Sequence, residues 1–236
     1  MDELTKARIA RPGLLSEFIH EGSLVFDIGA NIGRMTYQYL ARGASRVVAV
    51  EPQSVCVNEE LVPRFGNDER VTILHAACGQ EPGEATITTY GHGGTISTFV
   101  PDYYWGSGGP WANTPHDGKE TVQMTTLDAL IEEHGTPDFI KVDVEGYEYE
   151  VLMGLSQFVP LSFEFHPYFA PRAKLCLQRM LEIEPWVEFN HTVGETLEYA
   201  SPRWLNQEEM YLAIDALMMQ HGKNYFGNIY CRKAGA

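Results

Sequence analysis

Short apolar runs alternate with helix-like patterns along the first part of the chain. Apolar runs at 24–27, 46–51 and 71–75 predict buried strands, and the spacing of apolar positions over 35–42 and 54–65 predicts helices between them. Strands that alternate with helices at this spacing form right-handed β-α-β units around a parallel sheet. The pattern therefore predicts an α/β fold.

The same alternation returns in the second part of the chain, after two stretches, 84–90 and 120–125, that alternate as strands do. It predicts a parallel sheet with helices on both faces, completed by an antiparallel closing strand. The predicted elements are a helix from 126 to 131, a strand at 139–143, a helix at 147–155, a strand at 161–165, a helix at about 171–184, a closing strand at 187–199, an inserted helix at about 206–221 and a closing strand at 228–232.

The region 91–118 interrupts this rhythm and is rich in glycine and aromatic residues. A connection this long inside a compact domain is usually functional or disordered, and the aromatic residues argue against disorder. We interpret it as a substrate loop, although a flap that packs on the sheet or on a partner subunit is equally consistent. Its candidate contacts are Tyr103, Tyr104, Trp105 and Trp111, with His92 and His116 as additional proton acceptors.

The length of 236 residues suits one large α/β domain. Within it we predict an N-terminal helical segment at 1–22 that lids the site, kinked near Pro12. A cofactor-binding core at 24–165 and a part with C-terminal helices and closing strands at 166–236 complete the domain. No internal repeat or low-complexity linker divides the chain.

Charge and composition narrow the possible partners. The formal net charge is −15, and such a surface repels phosphate backbones and anionic membranes, so a nucleic-acid substrate is disfavoured. No secretory signal and no run of about 18 apolar residues is present, which predicts a cytoplasmic protein that does not insert into a membrane. The four cysteines form no C-x-x-C pair, as in a reducing compartment. The oligomeric state stays open, a homo-oligomer included.

A glycine turn, Asp-x-Gly-x-x-x-Gly, follows the first predicted strand and comprises Asp27, Gly29, Asn31 and Gly33. Such a turn brings backbone and the positive end of a helix against a ligand. A dinucleotide fingerprint, G-x-G-x-x-G, would need glycine at 27 and 32. A carboxylate at 27 repels a pyrophosphate and attracts a cation, so the turn favours a cationic ligand over a dinucleotide. An NAD-dependent oxidoreductase is therefore the less favoured, alternative function.

An acidic residue ends the second predicted strand. Glu51 lies 18 residues after Gly33, near the roughly 20-residue offset at which a carboxylate accepts ribose hydroxyls. Ala76, after the third strand, would leave space for an adenine ring. These positions together predict a site for an adenine nucleoside.

Several blocks of the chain resemble the FkbM-type methyltransferases over roughly residues 24–165. The most specific is Ile-Lys-Val-Asp-Val-Glu-Gly-Tyr-Glu at 140–148, followed by Val151, Leu152 and Gly154; the others are 25–33, 50–52 and 126–128. The resemblance implies a class I methyltransferase (Rossmann-like) fold, S-adenosylmethionine (SAM) as methyl donor, and transfer to a hydroxyl oxygen of a sugar, polyketide, glycan or other small molecule. Beyond residue 165 the match is weak.

Three residues are our candidates for catalysis: Asp143, Glu164 and His166. They lie at the carboxyl ends of two predicted strands, where open α/β sheets bind ligands, and alternation puts Glu164 and His166 on one side of their strand. Methyl transfer to a hydroxyl needs a base, and an imidazole titrates near neutral pH, so His166 is the preferred base.

Two alternatives to this mechanism stay open. The same three side chains could bind a divalent cation such as Mg²⁺, which would lower the pKa of the acceptor hydroxyl. A non-catalytic subunit that keeps the fold and binds SAM is also consistent with the sequence.

Overall fold

A seven-stranded sheet organises the chain. The computed structural model describes residues 13–91, 93–94, 96–101, 118–194, 196, 198–221 and 225–235. The strands of this sheet are β1 Leu24–Ile28, β2 Arg46–Glu51, β3 Val71–His75, β7 Phe139–Val142, β8 Leu161–Phe165, β9 Val187–His191 and β10 Gly227–Lys233.

The strand order is β3-β2-β1-β7-β8-β10-β9. The pairs from β3 to β8 are all parallel, while β10 runs antiparallel to both β8 and β9. This confirms the predicted mostly parallel sheet with an antiparallel closing strand. The chain winds outward from β1 to β3 and then resumes at β7 on the other side of β1, so the strand order reverses between β1 and β7. Open α/β sheets bind ligands at the carboxyl edge of such a reversal.

Helices cover both faces of the sheet, as predicted. Helices α1 and α2 lie on one face, whereas α3 to α6 lie on the other. The helices are α1 Arg34–Leu40, α2 (Ser54–Cys56, a π turn Val57–Leu61, and Val62–Phe65), α3 Leu127–His134, α4 Glu148–Met153, α5 Ala170–Ile183 and α6 Gln207–His221.

Alternation along the central strands divides the core into two layers. Val25 packs with Tyr39 of α1, whereas the next residue, Phe26, belongs to the cluster that contains Leu152 of α4. Successive side chains of a strand point to opposite faces, which is why central strands with covered faces are apolar throughout. Lys141 is the exception in β7, and it lies at the ligand-binding edge.

A second, three-stranded sheet connects the two halves. It consists of β4 Ala77–Cys78, β5 Gly83–Thr89 and β6 Gly118–Thr125, in the order β4-β6-β5. The predicted alternating stretches at 84–90 and 120–125 are therefore strands of a separate hairpin-like sheet. Thr88 of β5 also forms an isolated antiparallel bridge with Thr98, which folds the segment after β5 back along this strand.

Two sequence expectations need correction. The closing strand predicted at 187–199 ends at His191, because the Asn190 side-chain amide donates to the carbonyls of Ser201 and Arg203 and the chain folds back on itself. The N-terminal helical segment predicted at 1–22 contains, in its described part, a four-residue 3-10 helix, Leu14–Glu17, packed on the sheet beside Phe139.

The described N-terminal residues, from 13 to 22, are not among the residues that line the cavity at the sheet edge, and the role of segment 1–22 as a lid stays a prediction. Residues 1–12 lie outside the described part of the chain, as do the loop residues Tyr103, Tyr104, Trp105, Trp111, His92 and His116. Among the described helices, none has the length and apolar character needed to cross a membrane.

Candidate active site

A cavity of about 420 Å³ opens at the carboxyl ends of β1, β2, β7 and β8, where the strand order reverses. Its lining contains both groups of residues that the sequence singled out. The predicted cofactor residues Asp27, Gly29, Asn31, Glu51 and Ala76 line it, and so do the predicted catalytic residues Asp143, Glu164 and His166. The predicted cofactor residues lie at the ends of β1, β2 and β3, on one side of the reversal in strand order. We call this side the cofactor end. The predicted catalytic residues lie at the ends of β7 and β8, on the other side, which we call the acceptor end.

Gly29 makes the turn after β1 possible. Its φ of +81° is one that L side chains rarely adopt, and a Cβ there would lie 1.8 Å from the backbone oxygen of Asp143. The backbone of the first turn therefore rests directly against the end of β7. The glycine is needed for contact between strands as well as for access of a ligand.

Gly33 precedes α1 as its N-cap residue. A Cβ there would lie 2.4 Å from the Phe65 ring and 2.9 Å from Leu61. Gly33 is not among the lining residues. The second glycine of the motif thus allows α2 to pack closely on the turn.

Asp27 is completely buried at the end of β1. Its Oδ2 accepts a hydrogen bond of 2.6 Å from the Thr36 hydroxyl, whereas Oδ1 is buried and has no hydrogen-bond partner among the described residues. Burial raises the pKa of Asp27, and the charge of Lys141 opposes this. An unsatisfied buried carboxylate oxygen is costly, so this atom is a candidate contact for a cationic or hydrogen-bond-donating ligand.

Glu51 organises the backbone at the end of β2. Its Oε2 accepts from the Asn31 amide at 2.7 Å, and its Oε1 accepts from the Gln53 amide at 2.9 Å. Asn31 has a left-handed φ of +48°, which turns its amide toward this carboxylate. Burial raises the pKa of Glu51 to about 7, against the lowering effect of these hydrogen bonds. The carboxylate faces the cavity at the position predicted for ribose recognition.

A buried lysine links the two ends of the cavity. Lys141 pairs in register with Asp27 on the neighbouring strand, and its Nζ donates to Asp143 Oδ2 at 2.7 Å. Burial lowers the pKa of Lys141, but the carboxylates of Asp143 and Asp27 raise it by more. The charged ammonium therefore stabilises two carboxylates that would otherwise repel each other across the floor of the cavity.

Glu164 and His166 meet at the opposite end, as alternation predicted. Glu164 Oε2 lies 3.5 Å from His166 Nε2, and the His166 Nδ1 lies 3.3 Å from the backbone oxygen of Tyr225. A carbonyl only accepts, so Nδ1 carries a proton and Nε2 faces Glu164 and the cavity. Burial lowers the pKa of His166, but Glu164, Glu148 and the Tyr225 carbonyl together raise it by more, so that the pKa lies above the ordinary value.

Glu145 joins this pair, whereas Asp143 is bound to Lys141. Oxygens of Glu145 and Glu164 and a ring nitrogen of His166 lie within 4.8 Å of one another. Glu145 has a left-handed φ of +54°, one of two positive values at non-glycine residues in the described part of the chain. Such strained backbone persists only where surrounding contacts hold it, and it is frequent at functional sites.

Several lining residues were not identified from the sequence. Lys141 could have been noticed as a lysine inside an apolar strand, but Gln53, Ser97, Phe99 and Phe226 carry no local signal. They enter the cavity because the segments after β2, after β5 and before β10 fold over the sheet edge. Three described residues of the region 91–118 therefore line the cavity: Ile96, Ser97 and Phe99.

The fold and site together define a class I methyltransferase: a mostly parallel sheet with an antiparallel closing strand, and an acidic strand end beside a glycine turn at its carboxyl edge. Residues 27–225 match the model of the methyltransferase FkbM domain, and the chain belongs to this family. The match extends well beyond residue 165, where the resemblance weakened. Membership of this family does not favour the alternative of an NAD-dependent oxidoreductase, and SAM is the cofactor that the family implies.

One curated relative is the hexuronic acid methyltransferase AglP of Haloferax volcanii, which is 30% identical over 148 residues. The match covers 61% of this chain and 54% of AglP, so the chain spans about half of that relative's length.

Solved structures with similar folds include two methyltransferases of low sequence identity. Precorrin-6Y C5,15-methyltransferase of Geobacter metallireducens has a TM-score of 0.47 and 10% identity, covering 99% of this chain and 89% of that one. An rRNA methylase of Streptococcus thermophilus has a TM-score of 0.43 and 11% identity, covering 93% of this chain and 92% of that one.

Proposed function

We propose that this protein transfers a methyl group from SAM to a hydroxyl oxygen of a sugar or glycan. The observation that carries this proposal is the arrangement of one cavity. Its β1–β2 end presents carboxylates to a cofactor, and its β8 end presents the Glu164–His166 pair to an acceptor. Methyl transfer requires that the cofactor bound at one end and the acceptor bound at the other meet at the methyl group.

The β1–β2 end fits SAM by its chemistry. Asp27 offers a buried carboxylate oxygen without a hydrogen-bond partner among the described residues, which suits the cationic amino acid part of SAM. Glu51 lies on the next strand, with its carboxylate held by the Asn31 and Gln53 amides, and suits the ribose hydroxyls. Ala76 leaves space beside them for the adenine.

At the other end, His166 acts as the general base. Its Nδ1–H donates to the Tyr225 carbonyl, so the Nε2 lone pair is the atom that receives the proton of the acceptor hydroxyl. Glu164 stabilises the imidazolium that forms, from 3.5 Å. His166 acts as a base only when its Nε2 carries no proton, because a protonated Nε2 cannot accept another.

When bound, SAM supplies a methyl group on a positively charged sulfur that leaves with the bonding electron pair. The acceptor oxygen forms the new C–O bond as His166 Nε2 takes its proton. The products are S-adenosylhomocysteine and a methyl ether, and the proton later returns to water. Phe99 and Phe226 in the cavity wall suit the apolar face of a sugar ring.

A sugar acceptor is supported by the relative AglP, which is a hexuronic acid methyltransferase. The acceptor end here contains the carboxylates of Glu145 and Glu164, so a bare uronate would meet like charges. We therefore propose a neutral ring hydroxyl as the position that is methylated.

Binding and transfer test the proposal separately. Calorimetry should detect SAM and S-adenosylhomocysteine in the micromolar range; no binding by the folded protein up to millimolar ligand would contradict the cofactor assignment. Radiolabelled SAM offered with neutral and uronic-acid glycans should label the neutral glycans faster. Cofactor binding without transfer to any glycan would instead indicate a non-catalytic subunit or another acceptor class.

A metal-assisted version is a second candidate because two carboxylates and an imidazole lie within 4.8 Å of one another. A hard divalent cation such as Mg²⁺ would take Glu145 and Glu164 oxygens and lower the pKa of the acceptor hydroxyl. These candidate metal ligands are Glu145, Glu164 and His166, whereas the sequence predicted Asp143, Glu164 and His166. Loss of transfer with a chelator, restored by Mg²⁺, would support this version; chelator-resistant transfer would leave His166 as the base alone.

A further inference from the structure

The segment Ser97–Phe99 touches both ends of the cavity through neighbouring side chains. The Ser97 hydroxyl donates to Gln53 Oε1 at 2.9 Å, and Nε2 of the same Gln53 side chain donates to Glu51 Oε1 at 3.3 Å. The Thr98 hydroxyl donates to the backbone oxygen of Glu145 at 2.6 Å. One hydroxyl thus supports the cofactor end, and the next supports the acceptor end.

Thr98 is fully buried and held firmly in place. Its backbone exchanges two hydrogen bonds of 2.9 Å with Thr88, and its side-chain oxygen also accepts from the Val100 amide at 3.1 Å. The adjacent ring of Phe99 lies 5.3 Å from that of Tyr147, measured between centroids. The side chain therefore presents its hydroxyl to Glu145 from a rigid support.

A second side chain, that of Glu148, also holds the turn that contains Glu145. Glu148 Oε1 accepts from the amides of Val144 at 3.2 Å and Gly146 at 3.0 Å. Glu148 is buried and binds the amides on either side of Glu145, whereas Thr98 binds the Glu145 carbonyl. The left-handed backbone of Glu145 is consequently clamped by two side chains from different segments.

We infer that Thr98 is a positioning residue for the acceptor end of the site: its hydrogen bond to the Glu145 carbonyl holds the turn that places the Glu145 carboxylate beside Glu164 and His166. The expected effect on acceptor turnover rests on the proposed function, whereas the expected effect on the Glu145 turn rests on the hydrogen bonds alone. Ser97 has the corresponding role at the cofactor end, through Gln53.

The test compares adjacent hydroxyls. Thr98→Val keeps the shape of the side chain and removes the hydroxyl, and it should lower kcat/KM for the acceptor about 10-fold while the Kd for SAM stays as in the wild type. Thr98→Ser keeps the hydroxyl and should restore activity. Ser97→Ala is the matched control and should raise the Kd for SAM with little effect on the acceptor KM.

Hydrogen exchange gives a readout that does not depend on turnover. The amides of Val144 and Gly146 should exchange faster in folded Thr98→Val than in the wild type or in Thr98→Ser. Unchanged exchange and kinetics in Thr98→Val would overturn the inference, and so would an equal loss of SAM binding and acceptor use. If no glycan is methylated at all, the proposed function fails, but faster exchange with unchanged SAM binding would still support the role of Thr98.

Discussion

The two ends of the cavity are built in different ways. At the cofactor end, Asp27 and Glu51 end adjacent parallel strands, and backbone amides hold the Glu51 carboxylate. At the acceptor end, Glu164 and His166 lie two residues apart at the end of β8, but the backbone of Glu145 is held by the Thr98 side chain, which lies far from it in the chain. A contact between distant segments is lost when one partner is replaced, whereas the amides that hold Glu51 belong to the backbone next to the strand ends.

The largest expected effect tests the acceptor end. His166→Ala should lower kcat about 10²–10⁴-fold, because the hydroxyl loses its proton acceptor. The Kd for SAM, measured by calorimetry, should be unchanged. His191→Ala is a control of similar burial, since His191 does not line the cavity, and the folded variant should retain its kcat. Equal kcat for wild type and His166→Ala would remove His166 from the mechanism.

The next effect tests the backbone of the cofactor end. Gly29→Ala should lower the free energy of unfolding by at least about 3 kcal/mol, because the new methyl group meets the Asp143 carbonyl and the φ is unfavourable. Gly22→Ala is the control: its φ is +94°, but nothing lies within 4 Å of the added Cβ, so the cost should be about 1 kcal/mol. Urea unfolding measures both, and equal losses would mean that close contact at Gly29 contributes nothing.

A smaller effect is expected from the Glu51 side chain. Glu51→Gln should raise the Kd for SAM about 10- to 100-fold, because the amide accepts hydrogen bonds less strongly than a carboxylate does. At saturating SAM, kcat should return to nearly the wild-type value. Glu60→Gln removes a half-exposed carboxylate from the nearby helix α2 and should leave the Kd unchanged. A kcat defect that excess SAM does not correct would contradict the assignment of Glu51 to cofactor binding alone.

The smallest effect concerns pH. Glu164 raises the pKa of His166, and a base must be neutral, so the turnover of the wild type should rise with pH above the ordinary histidine range. Glu164→Gln removes the charge that stabilises the imidazolium. Burial then lowers the pKa of His166, and the rising part of the pH–rate profile should move to lower pH. A shift in the opposite direction, or none, would show that Glu164 does not act through His166.

Both ends of the site were only partly visible in the sequence. Local patterns identify the cofactor end well, since a strand, its glycine turn and the next strand's acidic end are near neighbours in the chain. Asp27, Gly29, Asn31 and Glu51 all line the cavity, and their contacts with SAM stay a prediction. Gly33 does not line it, and its close approach to Phe65 could not be predicted because it depends on how α2 packs.

The apolar pattern of the chain was sufficient for the strands, the helices and the mostly parallel sheet, because periodicity reflects which faces are buried. It was also sufficient to place Glu164 and His166 on the same side of β8. Tertiary structure alone brought Glu145 to that pair in place of Asp143, and laid Ser97 and Thr98 across both ends. Those contacts join residues distant in the chain, and their distances follow from packing between segments that no local pattern encodes.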